Sequence, residues 1–348
     1  MRFSIYGWYF LPYIRDYLEK DGHTVVLNDF STNVDVCIVE NIMYMYDAYI
    51  NIKKMKRNNI KLINIIADIP LFELVEDYWE NTFIKDMKQN LFNMTHRNQF
   101  LLDRVNYFIP KPNKSRIFNS FAVQVQNYLN YRVRNAFYHQ RNYRRYLMKS
   151  DLILSMSNFT RKIVKKNLKL DSLVYYGCVN SDYLLSLPKP EILYDAINIS
   201  RIIPDKRQEV FVEAANRLGL NIIVLGSHPD KNINLNCPHF FLNDQKLALD
   251  YLNSSNFYVD ASIFEGFGMT PIEAAFLDKI TIASNTYVHR EILGDYPLYF
   301  EKDNIDDLVE KMKIVLGGDY KLNNKKIKQK DSLEASKNRL MEFVESLL

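Results

Sequence analysis

Short apolar runs recur along the chain between amphipathic stretches, and their spacing predicts most of the elements. "RFSIY" ends at Gly7, the helix-like "LPYIRDYLEKDGH" follows, and "TVVLND" begins a second β-branched run. A strand, a glycine turn, a helix and a strand within about thirty residues open a Rossmann-like βαβ unit. "VDVCIVE" and "KLINIIAD" continue the series around the helix-like "YDAYINIKKMKRNN". Runs that are apolar throughout and alternate with helices argue for a parallel sheet covered on both faces.

Residues 71–150 break this rhythm. Apolar positions at Phe121, Val125, Tyr128, Leu129, Val133, Ala136 and Phe137 have helical spacing. "DLILSMSNF" then predicts a returning strand, and "SLVYYGCVNSDYL" another that ends in a turn. "LSLPKPEILYD", with two close prolines, reads as a linker. After it the alternation restarts: strands at "AINIS", "NIIVLGS", "HFFLN", "NFYVDAS", "ITIAS" and "PLYFE", helices at "QEVFVEAANRLG" and "QKLALDYLNSS". "KLNNKKIKQKD" reads as a polar connector before a last amphipathic helix, "SLEASKNRLMEFVESLL". The expected division is a first Rossmann-like domain over 1–187 with a basic helical insertion, a second over 188–330, and a helix over 331–348.

Composition agrees and adds little. At 348 residues the chain is long for one core, and 47% hydrophobic with 25% charged residues is globular. No apolar run reaches the ~18–20 residues that span a bilayer, and "MRFSIYGWYF" lacks the sections of a signal peptide. Cys37, Cys178 and Cys237 are too few and scattered for a disulfide framework, and no zinc spacing is present, so a cytoplasmic setting without a bound metal is expected. Net charge is +4, but Lys111 to Leu170 holds fourteen Lys and Arg against the single acid Asp151.

Candidate chemistry centres on "EGFGMTPIEAA", residues 265–275. Thr270 as N-cap, Pro271 at the first helical position and Glu273 three residues after the threonine make a capping box that needs no ligand. That leaves Glu265, Gly266 and Gly268 unexplained. The motif follows a strand, so it lies at the carboxyl edge of a parallel sheet, where ligands bind. The N–H groups of Gly268, Met269 and Thr270 at a helix start favour phosphate. "ISRIIPDK" puts Arg201 and Lys206 past another strand at the same edge, two cations suited to a departing diphosphate.

With those residues in place, the sequence resembles the retaining GT-B glycosyltransferases of glycosyltransferase family 4 over most of its length. "EGFGMTPIEAA" resembles that family's Glu-x7-Glu signature and "SRIIPDK" its Arg-x4-Lys pair. "LEKDGHTVVL", "ILSMSNF", "YYGCVNSDYL" and "NTYVHREILGDYPLYFEKDN" are similar to further family elements in the same order. The resemblance implies an α/β fold of GT-B type, two Rossmann-like domains whose parallel sheets face each other across a cleft. It implies transfer of a hexose-type sugar, with retention, from a UDP- or GDP-sugar to a hydroxyl acceptor, without a permanently bound cofactor. Arg201 and Lys206 would bind the diphosphate, Glu265 the donor sugar and Glu273 the ribose. Gly268, Met269 and Thr270 would supply backbone N–H groups, and Gly7 would line the diphosphate from the opposite lobe.

Three departures stand out. "NIIADIP" has Ala67 where the family often carries histidine, and Asp68 then either takes a sugar or acceptor contact or is a turn residue before Pro70. The first glycine loop has only Gly7, and "FLDKITIAS" replaces the usual Cys-Gly-x-Pro-Val. Among the histidines, His289 beside Arg290 and Glu291 is the one near the expected nucleotide.

The basic segment, interleaved with Tyr128, Tyr131, Tyr138, Tyr143 and Tyr146, attracts anions. An anionic membrane surface carrying a lipid-linked acceptor, or an anionic glycan, is preferred over nucleic acid, which suggests peripheral attachment to the inner face of a membrane. The competing expectation is a catalytically inactive GT-B protein that binds nucleic acid or membrane through this lobe. The intact set Arg201, Lys206, Glu265 and Glu273 favours the enzyme. The sugar, the base, the acceptor and the oligomeric state are not encoded legibly.

Overall fold

The computed structural model describes residues 1–7, 11–28, 33–40, 59–67, 143–226, 235–240, 242 and 244–348. Twelve strands and ten labelled helices are used below. In chain order they are β1 (Arg2–Tyr6), α1 (Leu11–Lys20), β2 (Thr24–Leu27), β3 (Val36–Glu40), β4 (Lys61–Ile66), β5 (Leu152–Ser155), α2 (Asn158–Ile163), β6 (Leu173–Val174), α3 (Ser181–Ser186), β7 (Tyr194–Ile199), α4 (Gln208–Arg217), β8 (Ile222–Leu225), β9 (His239–Phe240), α5 (Gln245–Asn253), β10 (Ser255–Asp260), α6 (Met269–Phe276), β11 (Ile280–Ser284), α7 (Tyr287–Leu293), β12 (Leu298–Phe300), α8 (Ile305–Leu316), α9 (Lys325–Lys330) and α10 (Leu333–Glu345).

The strands form two sheets, ordered β2-β1-β3-β4-β5-β6 and β12-β11-β10-β7-β8-β9. Every pairing is parallel. The apolar strands "VCIVE", "KLINII" and "IIVL" are buried nearly throughout, as a sheet covered by helices on both faces requires. In both sheets the chain starts centrally and works outward in two directions, so each has a switch point where loops from adjacent strands diverge and leave a crevice.

Two expectations are corrected. The "polar connector" contains a helical turn and a half, α9, anchored by the buried Ile327. The predicted strand "DLILSMSNF" stops at Ser155, because the Ser157 side chain accepts from Thr160 N and starts α2. The helical pattern at 121–142 lies outside the described residues, while 143–147 are helical.

Helix α10 packs on α1 of the first sheet, although it follows the second sheet in sequence. Ser336 hydrogen-bonds Tyr175 at 2.7 Å, and Lys337 pairs with Asp21 at 2.6 Å. Where the chain returns, the Val179 N–H donates to the Asp331 carbonyl at 3.4 Å.

Candidate active site

The neighbours β7 and β10 end side by side, so the loops after them share one edge of the second sheet. Ile263 N donates to Asp205 O at 2.9 Å and stitches the loops together. Lys206 and Glu265, 59 residues apart, form an ion pair there, with side chains only 12% and 15% exposed. Arg201 is exposed at the same edge. Gln208 Nε2 donates to Ser200 Oγ and Arg201 O, both at 2.7 Å, and fixes the loop that carries the two cations. Gly226, the residue after β8, presses on this loop: a Cβ there would lie 1.9 Å from Ser200 O, and its φ of +148° already favours glycine. Sequence reading missed that role.

The helix start differs from the capping box. The N-cap of α6 is Gly268, at φ 80°, with no side chain capping it. Thr270 is the second helical residue and Pro271 the third, where the missing N–H has no intrahelical acceptor to lose. The left-handed turn puts glycine at the cap, and without a capping side chain the first-turn N–H groups of Met269 and Thr270 are left to a ligand.

Glu273 does not reach back to the backbone. It is buried, and its Oε1 accepts from Gln245 Nε2 at 3.2 Å. Burial pushes its carboxyl up to about 7, against the hydrogen bond from Gln245.

Behind the ion pair lie two groups that sequence reading left out or discounted. Asp260, the last residue of β10, accepts from Ser262 N at 2.9 Å and from the Tyr258 hydroxyl at 3.3 Å. Burial raises its pKa, but His289, Lys206 and Ser262 outweigh that and hold it below the usual range. His289 Nδ1 lies 2.8 Å from Ser284 O and donates to it, so Nε2 faces Asp260 Oδ2 at 3.8 Å. A polar residue closing the apolar run "NFYVD" was the signal for Asp260. Oxygen or nitrogen atoms of Asp260, Glu265 and His289 lie within 4.8 Å of one another, a spacing that can hold a cation. The Lys206 ammonium, bonded to Glu265, already brings positive charge to that cluster.

In the first lobe, Gly7 is buried between β1 and α1. Its N–H donates to Asn28 Oδ1 at 3.3 Å, and a Cβ would lie 2.5 Å from Glu40 Oε2. Packing therefore favours glycine there, since a larger residue would have to displace the Glu40 and Leu11 side chains. Asp68 lies outside the described residues, as do Tyr128, Tyr131 and Tyr138.

Contacts cross from one sheet's lobe to the other. Glu291 Oε1 accepts from Asn158 N at 2.5 Å, and Oε2 from Phe159 N at 3.3 Å, so this carboxylate sits on the start of α2. Tyr13 donates to Gln245 Oε1 at 2.5 Å beside an interlobe cleft of about 580 Å³, lined also by Asn180, Tyr183, Lys246 and Leu249.

A family model decides what this arrangement resembles. Residues 186–332 match glycosyl transferases group 1. The matched stretch contains Arg201, Lys206, Glu265 and Glu273. An uncharacterized glycosyltransferase of Methanocaldococcus jannaschii is 26% identical over 180 residues, 47% of this chain and 49% of that protein. The match thus spans about half the length of this curated relative.

Solved structures extend the likeness beyond the group 1 stretch. A glycosyltransferase of Rickettsia africae superposes with a TM-score of 0.61 at 16% identity, covering 99% of this chain and 98% of that one. HepE of Anabaena, solved in complex with UDP-glucose, gives 0.62 at 11% identity over 99% and 100%. Sucrose-phosphate synthase of Thermosynechococcus elongatus gives 0.62 at 11% identity over 100% and 99%. At these identities the likeness is one of fold. The two parallel sheets and the group 1 stretch make the fold GT-B.

Proposed function

We propose that the protein is a retaining glycosyltransferase that moves a hexose-type sugar from a UDP- or GDP-sugar to a hydroxyl on a glycan or lipid-linked acceptor. The observation that carries the reading is the meeting of Lys206 and Glu265 beside the uncapped start of α6. A diphosphate laid on the N–H groups of Met269 and Thr270 competes with Glu265 for the Lys206 ammonium. Glu265, released, accepts hydroxyls of the donor sugar, and Arg201 closes on the diphosphate from solvent. Glu273 accepts the ribose hydroxyls. As the glycosidic bond to the diphosphate breaks, negative charge grows on the leaving oxygen, and Lys206, Arg201 and the helix end stabilise it. The acceptor oxygen bonds to the anomeric carbon on the face the diphosphate leaves and gives its proton to the departing diphosphate oxygen, so configuration is retained. The group 1 match and the UDP-glucose bound by HepE support a nucleotide-sugar donor.

This reading keeps the division into 1–187, 188–330 and 331–348. Gly7 lines the diphosphate, and Asp68 takes a sugar or acceptor contact. Exposed Arg145, Arg161, Lys166 and Lys169 suit an anionic membrane surface at the cytoplasmic face, and no helix among the described residues is long and apolar enough to cross a membrane. They also suit the second reading, an inactive GT-B protein that binds nucleic acid or membrane.

A panel of UDP- and GDP-sugars separates the two. The enzyme releases nucleoside diphosphate from at least one of them and is protected by it against heat. A folded chain that neither consumes nor binds any nucleotide sugar sinks the proposal.

A further inference from the structure

Glu273 does not face the cleft bare. Gln245, exposed at the start of α5, lies over it with Nε2 3.2 Å from Oε1, while the carbonyl of the same amide accepts from Tyr13 at 2.5 Å. With the carboxylate ionised this is the satisfied amide orientation, because turning it over would set its carbonyl against the carboxylate. One side chain therefore links the carboxylate of the second lobe to α1 of the first, across 232 residues of sequence.

The geometry points to Gln245 as a positioning residue for nucleotide binding: it holds the Glu273 carboxylate ready to accept ribose hydroxyls, and Tyr13 of the facing lobe holds Gln245. The inference rests on the proposed ribose contact of Glu273.

A carboxylate serves two hydroxyl donors only when ionised, since a protonated carboxyl presents a donor of its own. Burial alone drives Glu273 toward the protonated form, and the amide N–H of Gln245 opposes it. Among the described residues, the titratable groups whose shifts include the Glu273 charge are Tyr13 from α1 and Tyr258 from β10. Burial, with the Glu273 charge adding to it, raises both pKa values, so both stay neutral near pH 7. An acid limb in nucleotide affinity that Glu273→Gln removes therefore belongs to Glu273. Apolar replacement of Gln245 leaves the carboxyl protonated over more of the neutral range and free to rotate. Loss of the Tyr13 hydroxyl leaves the amide in contact but unanchored.

The test is calorimetric binding of UDP and of GDP from pH 5.5 to 8.5 to the full chain and to Gln245→Leu, Tyr13→Phe, Glu273→Gln and the double variant Gln245→Leu/Glu273→Gln. Gln245→Leu is expected to weaken binding about tenfold at pH 7 and to move the acid limb upward. Tyr13→Phe shifts both in the same direction by less. On the Glu273→Gln background, Gln245→Leu should add nothing, because it acts through that carboxylate. Unchanged affinity and pH profile in Gln245→Leu, or effects that add in the double variant, overturn the assignment while wild-type binding leaves the enzyme reading standing. A folded wild type that binds neither nucleotide removes the ribose role and this inference together.

Discussion

Lys206, Glu265 and Glu273 meet at one edge of the second sheet from two loops and a helix start, yet they answer to different forces. Lys206 and Glu265, only 12% and 15% exposed, neutralise each other, so removing either leaves the other's charge largely buried and unpaired and lowers stability. Lys206→Ala is expected to lower the melting temperature, by leaving Glu265 unpaired, and in the protein that remains folded to lower donor turnover by about a hundredfold or more. Arg201→Ala, at an exposed position, should lower turnover without moving the melting temperature. Full activity in either variant would remove the diphosphate role.

Glu273 is different, because its burial raises the carboxyl from 4.5 to about 7. Between those values the folded chain holds a proton that the unfolded chain has lost. Stability therefore falls as pH rises through that window, and the full penalty is present above about pH 7. That penalty is roughly 3 kcal/mol. Glu273→Gln should accordingly raise the denaturation midpoint at pH 8, change it little at pH 4.5, and weaken nucleotide binding at pH 8. A lower midpoint at pH 8 would restore a purely structural role.

At the scale of elements, the strands were legible because a strand buried on both faces must be apolar throughout, and "VCIVE", "KLINII" and "IIVL" have few other readings. The start of α6 was legible only in part. Thr-Pro-x-Glu is a sound capping pattern, but tertiary contacts decide where the helix begins: Gln245 claims Glu273, and Gly268 supplies a left-handed cap two residues earlier than the pattern suggests. Asp260 and His289 carry no local spacing, since one ends β10 and the other lies in α7, and only the fold brings them together. Helix α9 was hidden because one buried apolar residue, Ile327, makes no period. Gly268→Ala forces a Cβ into left-handed geometry and should cost about 1–2 kcal/mol in denaturant unfolding. Gly226→Ala should act further away, since displacing Ser200 moves the Arg201 loop, and donor affinity is expected to fall with it. Unaltered donor affinity in Gly226→Ala would show that the loop tolerates the shift.

Over the whole molecule, stability and lobe seating are shared between the sheets. Helix α10 buries Leu333, Leu340 and Val344. Removal of residues 333–348 should uncover α1 and cost several kcal/mol, read as a lower and broader melting transition. Glu291→Ala removes hydrogen bonds that join α7 to the start of α2, and should lower kcat more than it weakens nucleotide binding. Equal losses in both would place Glu291 in nucleotide binding itself.

The chain passes between the lobes twice, once through 187–193 and once at Asp331, and the Val179–Asp331 backbone hydrogen bond lies where the second passage rejoins the first lobe. A single connection would let one lobe swivel about any direction. Two connections side by side act as a pair of pins. They leave one easy rotation, about the line through both.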